Sequence, residues 1–143
     1  MDGKLTRGEF LAKGGKSCLV LAAGGVLLQG CKDVDSVDVE KTRPPGAPAN
    51  FIAKEGDVKP AYYFVKGKLK GVLALTDKGI VGYANKCTHE GGPNELRGGQ
   101  LVCLWHGSKF DAATGNVLNG PATKPLTRLK LEIKDGMVLL AEA

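Results

Sequence analysis

Two short motifs, Cys87-Thr88-His89 and Cys103-Leu104-Trp105-His106, constrain this chain more than anything else in it. Each sets one thiol and one imidazole within a few residues. The chain has only two histidines, and both fall beside these cysteines. Sulfur and imidazole together suit iron-sulfur clusters and zinc alike, so residue type does not decide between them. Two rival readings share the residues. A structural zinc site of Cys2His2 type would use the same four donors, although zinc fingers usually place both histidines on a helix. A Cys87 to Cys103 disulfide with idle histidines is the other, in an oxidising compartment.

The surroundings of the motifs point to loops on a β scaffold. Short apolar runs at 62–65, 72–75, 80–84 and 101–103 are separated by turn residues and read as strands. Asp77-Lys78-Gly79 and Lys134-Asp135-Gly136 mark hairpins, the second joining runs at 129–133 and 137–140. The segments 85–99 and 105–108 have no strand pattern and hold the donors. With 21 glycines in 143 residues the expected body is loop-rich and all-β. Trp105 and Phe110 are expected to pack in the core.

The motif residues resemble the Rieske family closely. The resemblance lies in Cys87-Thr88-His89-Glu90-Gly91-Gly92 and in Cys103-Leu104-Trp105-His106-Gly107-Ser108-Lys109-Phe110-Asp111. A third stretch, Gly120-Pro121-Ala122-Thr123-Lys124-Pro125-Leu126, resembles the family's proline loop, and the thirteen residues between His89 and Cys103 lie near the short end of the family's range. The resemblance implies a small antiparallel β-sandwich or barrel carrying one [2Fe-2S] cluster. It implies that Cys87 and Cys103 bind one iron, that His89 and His106 bind the other, and that the Ser108 hydroxyl donates to a bridging sulfide. Two neutral imidazoles in place of two thiolates remove negative charge and raise the potential above that of four-cysteine clusters.

Within the family, quinol-oxidising subunits of cytochrome bc complexes carry two further cysteines that bridge the loops, at the positions of Gly92 and Trp105, and a leucine where Glu90 stands. High-potential members have tyrosine at the position of Phe110. These departures imply a potential below that of the quinol-oxidising type, within the range of roughly −150 to +300 mV that Rieske centres span. The function expected is one-electron transfer by an exported, membrane-tethered shuttle, not catalytic alone. The alternative is the iron-sulfur subunit of a bc-type quinol:cytochrome c oxidoreductase, or the small Rieske subunit of another oxidoreductase such as arsenite oxidase. Redox proteins, a cytochrome or an oxidoreductase subunit, are the expected partners. Nucleic acid is not expected, because the formal charge of +5 is spread singly along the chain.

Residues 1–30 read as a signal or anchor segment. Lys4, Arg7, Lys13 and Lys16 precede an uncharged stretch at 17–29, which is shorter than the roughly 20 residues of a membrane-spanning helix. Thr6-Arg7-Gly8-Glu9-Phe10-Leu11 resembles a twin-arginine export signal with glycine in place of the second arginine. Leu28-Gln29-Gly30-Cys31 resembles the bacterial lipobox and makes Cys31 the expected lipidation site, on the extracytoplasmic (periplasmic) face of the cytoplasmic membrane. Residues 31–59 read as a linker, in which 32–50, acidic and then proline-rich, form an extended tether and part of 51–58 is expected to pack on the body. The Rieske-type domain is expected over 60–143.

Overall fold

The computed structural model describes residues 34–141, so the signal segment and Cys31 lie outside it. Strands follow in the order β1 (Val37–Asp38), β2 (Phe51–Lys54), β3 (Ala61–Lys66), β4 (Leu69–Thr76), β5 (Gly79–Ala84) and β6 (Asn94–Arg97). They continue with β7 (Gln100–Cys103), β8 (Lys109–Asp111), β9 (Val117–Asn119), β10 (Leu131–Lys134) and β11 (Met137–Leu140). They form three sheets, ordered β1-β3-β4-β5, β10-β11-β2 and β6-β7-β8-β9. Every pair within the sheets is antiparallel except β1 with β3. The all-β expectation holds.

The sheet β1-β3-β4-β5 is the middle layer, because successive side chains of a strand point to opposite faces and both faces here are buried. On β4, Val72 and Ala74 enter one core with Cys87, Leu101, Cys103 and Phe110. Leu73, between them, enters a second core with Ile52, Phe64 and Val138. A strand buried on both sides reads as a continuous run without polar residues, which is what Gly71-Val72-Leu73-Ala74 supplies, while Leu75 beyond it is exposed. Phe64 lies opposite Gly71 across the β3/β4 pair, and its ring fills the space that a Gly71 side chain would occupy. Full burial of a side chain of this size contributes about 1.5–3 kcal/mol.

Tight hairpins set the register. Lys134 pairs with Met137, leaving Asp135 and Gly136 as a two-residue loop with φ of 52° and 72°. Two successive positive φ values define the turn whose twist matches the flanking strands, and Asp-Gly is among its preferred pairs.

The body begins earlier than residue 60. Within the expected tether, Val37 pairs with Phe64, Val39 is fully buried, and Lys66 Nζ lies 2.9 Å from Glu40 Oε1. Strand β2 pairs with β11, and Phe51, Ile52 and Ala53 are buried. The extended-tether reading of 32–50 is therefore corrected from Val37 onward, whereas residues of 51–58 pack on the body as expected. Its apolar residues are few but placed to meet the second core. The prolines close turns, with Ala47 N–H donating to Pro44 O (3.1 Å) and Phe51 N–H to Pro48 O (3.0 Å).

Candidate cluster site

The chain leaves the middle sheet after Ala84 and returns at Thr127, where Ala84 N–H donates to Thr127 O at 2.9 Å. Everything between these residues builds the tip. In the first loop, Cys87 N–H donates to Gly92 O and Gly91 N–H to Cys87 O, both at 2.8 Å, which curls the chain around Cys87. Asn85 and Asn94 stand at the two ends of this curl and are buried. Asn85 Oδ1 accepts from Asn94 N–H at 2.8 Å and from Asn94 Nδ2 at 3.2 Å, a side-chain clamp across the base of the loop.

The second loop follows β7. Cys103 N–H donates to Ser108 O (2.8 Å) and Gly107 N–H to Cys103 O (3.1 Å), so 103–108 form a closed turn. Leu104 N–H donates to Pro93 O at 2.9 Å and joins the two loops. The proline-containing stretch is tied to both. Thr88 Oγ1 donates to Lys124 O at 2.6 Å, and Ala122 N–H donates to Ser108 Oγ at 3.0 Å.

Four of the expected donors thus sit in two tiers. Cys87 and Cys103 are buried, unbridged and within reach of one another. Above them the His89 and His106 rings meet edge to face with centroids 5.1 Å apart, and both are exposed. Burial pushes the Cys87 thiol above its ordinary range, with the nearby Cys103 acting in the same direction, while a backbone hydrogen bond at His89 and the Ser108 hydroxyl oppose it. Ser108 is fully buried. Its oxygen accepts from Ala122, which leaves its proton to donate toward sulfur. Glu90 Oε2 lies 3.5 Å from His106 Nδ1, bringing a carboxylate from the first loop to the imidazole of the second.

Two soft sulfurs inside and two imidazoles outside, on two loops that face each other, fit a binuclear iron centre whose inner metal takes thiolates and whose outer metal takes nitrogen. The disulfide reading is not what the structure shows, since both cysteines are free. Phe110 is in the core as expected, but Trp105 is not. It is 55% exposed, because its place between Leu104 and His106 carries it out onto the tip. The asparagine clamp, the Thr88 bond and the Ala122 amide were not foreseen. Polar residues at strand ends flanking a motif are the one signal for them, and their partners lie too far along the chain to be paired by inspection.

This architecture defines a small β-domain that presents paired Cys/His loops for a metal cluster. The family model of the Rieske [2Fe-2S] domain matches residues 49–130, more than half of the chain, which therefore belongs to that family and binds a [2Fe-2S] cluster. The cytochrome b6-f complex iron-sulfur subunit of Prochlorococcus marinus (strain NATL1A) is 33% identical over 103 residues, covering 71% of this chain and 52% of that protein. Subunit 2 of the same name from Nostoc sp. (strain PCC 7120) is 36% identical over 63 residues, 43% of this chain and 35% of that protein. The chain spans about half or less of the length of these relatives. Among solved structures, the cyanobacterial plasma membrane Rieske protein PetC3 from Synechocystis PCC 6803 superposes with a TM-score of 0.56 at 23% identity. A ferredoxin of Sphingomonas yanoikuyae B1 does so with 0.58 at 23%. Each match covers 65% of this chain and 97% of the other, and shows a shared fold.

Proposed function

We propose that the chain is a one-electron carrier in which Cys87 and Cys103 hold the inner iron and His89 and His106 the outer one. The observation that supports this best is the tiered arrangement, a buried cysteine pair beneath an exposed histidine pair. When bound, the cluster supplies one-electron chemistry at a potential raised by its two neutral ligands. The residues of the chain do the rest. The buried cysteines and Phe110 keep water from the inner side, Ser108 directs its hydroxyl proton at sulfur, and the imidazole edges offer a short path to a docked partner. In this reading substrate turnover belongs to a partner protein. Iron and acid-labile sulfide analysis, with an electron paramagnetic resonance spectrum of the reduced protein, tests the proposal. A colourless product holding zinc alone overturns it.

Extracytoplasmic tethering through a lipid on Cys31 is part of the same proposal and rests on the Leu28-Gln29-Gly30-Cys31 sequence. No helix among the described residues is long and apolar enough to cross a membrane. In a Cys31→Ala variant the protein should leave the membrane fraction, and undiminished retention there refutes lipid anchoring.

A second reading, a subunit of a cytochrome complex, is favoured by the curated relatives, which are named as b6-f subunits. Glu90 weighs against it, because a carboxylate beside the exposed imidazoles is costly to bury in an apolar quinol pocket. Purification from native membranes separates the two. Association with a cytochrome b supports the subunit, and a free lipidated monomer the shuttle.

A further inference from the structure

Gly92 lies within touch of both cysteines of the site. Its carbonyl accepts the Cys87 N–H at 2.8 Å. On its other side, a Cβ added at this position would lie 3.0 Å from Cys103 Sγ. It would also lie 2.7 Å from Cγ and 2.8 Å from Cδ2 of Trp105, approaches closer than real Cβ atoms make. The need for glycine here is steric. Its φ is not in the left-handed region, so close approach and not backbone freedom excludes a side chain.

The other half of the contact is equally specific. Trp105 is on the second loop, two residues beyond Cys103 and directly before His106. The indole therefore reaches across to the first loop while more than half of its surface remains in water. The ring rests on bare backbone. Beside it Leu104 N–H donates to Pro93 O, so three successive residues of the second loop contact the first: Leu104 by its amide, Trp105 by its ring, and His106 by its edge-to-face pairing with His89.

We infer that Trp105 and Gly92 form a non-covalent clasp, a ring seated on a glycine platform, which fixes the separation of the two Cys/His loops and shields Cys103 Sγ from solvent. Trp105 is a positioning residue in this assignment. It acts through Gly92 on Cys87 and through its own neighbours on Cys103 and His106. The inference rests on the proposed ligand set.

The test uses the full chain with its cluster. Visible absorbance is followed in excess EDTA to give the rate of cluster loss, with the reduced-state paramagnetic spectrum and midpoint potential recorded before chelation. Trp105→Ala should lose the cluster about tenfold faster than wild type and broaden the reduced spectrum, since a flat aromatic contact is removed. Trp105→Phe, which keeps a ring on the platform, should restore most of the lifetime. Gly92→Ala should be as damaging as Trp105→Ala, and the double variant should be little worse than either single change, because both remove one contact. A wild-type rate and spectrum in both Trp105→Ala and Gly92→Ala overturns the clasp alone. Wild-type protein without iron and sulfide overturns the ligand assignment, and the clasp with it.

Discussion

The two sides of the middle sheet are built by different rules. On the side of β2, β10 and β11, the core is aliphatic and aromatic, and register comes from hairpins and backbone ladders. On the side of β6 to β9, two cysteines enter the core, and the loops above them are held by a few side-chain hydrogen bonds at Asn85, Thr88 and Ser108. The first side has many interchangeable contacts, so loss of one is felt as stability. The second has few contacts with fixed donors, so loss of one is felt at the sulfurs. Stability and electronic tuning are thus assigned to opposite faces of one sheet.

The most severe way to separate the faces is to remove a thiol. Cys103→Ser should abolish iron and sulfide incorporation while the amides of β3 and β4 keep their protection in hydrogen exchange; loss of that protection would show that the base depends on the cluster. The reverse experiment is Phe64→Ala, which empties the space over Gly71 and should cost about 3–5 kcal/mol in denaturant unfolding. Its reduced paramagnetic spectrum should match wild type, and a changed spectrum would mean that the middle sheet transmits packing defects to the tip.

Finer changes act on the tip alone. Ser108→Ala deprives the Ala122 amide of its acceptor and removes a donor to sulfur, so the potential should fall by tens of millivolts. Phe110→Tyr adds a phenolic hydroxyl among the residues around the cysteines and should raise it by a comparable amount. Protein-film voltammetry reads both, and an unchanged potential in either variant removes that residue from the tuning set.

The smallest effect concerns Asp111, at the end of β8. Its carboxylate accepts from the Thr114 and Ala113 amides and the Thr114 hydroxyl, and these bonds, the Thr114 amide foremost, hold its pKa below the ordinary aspartate range. A depressed folded-state pKa contributes stability that is complete above the ordinary range and is lost as pH falls through the lowered value. Acid titration should therefore loosen the turn at 112–116 slightly. Asp111→Asn should flatten this part of the acid profile, and a profile identical to wild type would refute it.

Much of the base was legible because its signals are local. The apolar runs lie inside β3, β4, β5, β7 and β11, and Asp135-Gly136 makes the turn its residues favour. Strand β2 was hidden, since Phe51-Ile52-Ala53 follows a proline-rich stretch and owes its strand state to β11, about 85 residues later. Strand β6, Asn94-Glu95-Leu96-Arg97, has no β-favouring pattern. It is fixed by the Gly98-Gly99 turn, by the clamp on Asn94 and by Tyr63 Oη accepting from Leu96 N–H at 2.7 Å. At the site, the four proposed donors and Ser108 were singled out by motif and resemblance, and the structure brings them to one tip. The Trp105 contact was legible only in part: the resemblance places positions 92 and 105 where other members bridge the two loops, but nothing in the sequence says that an indole will rest on a glycine there.

The junction of Ala84 with Thr127 gives the tip the topology of a cassette. Residues 85–126 leave and rejoin the middle sheet at neighbouring points, where Tyr83 and Arg128 also pair. A cassette closed at its stem can be lengthened, shortened or exchanged without rethreading the strands beneath it. The same base is therefore a natural recipient for loops of other electrochemical properties, and the cassette a transplantable unit for any scaffold with two adjacent strand ends at this spacing.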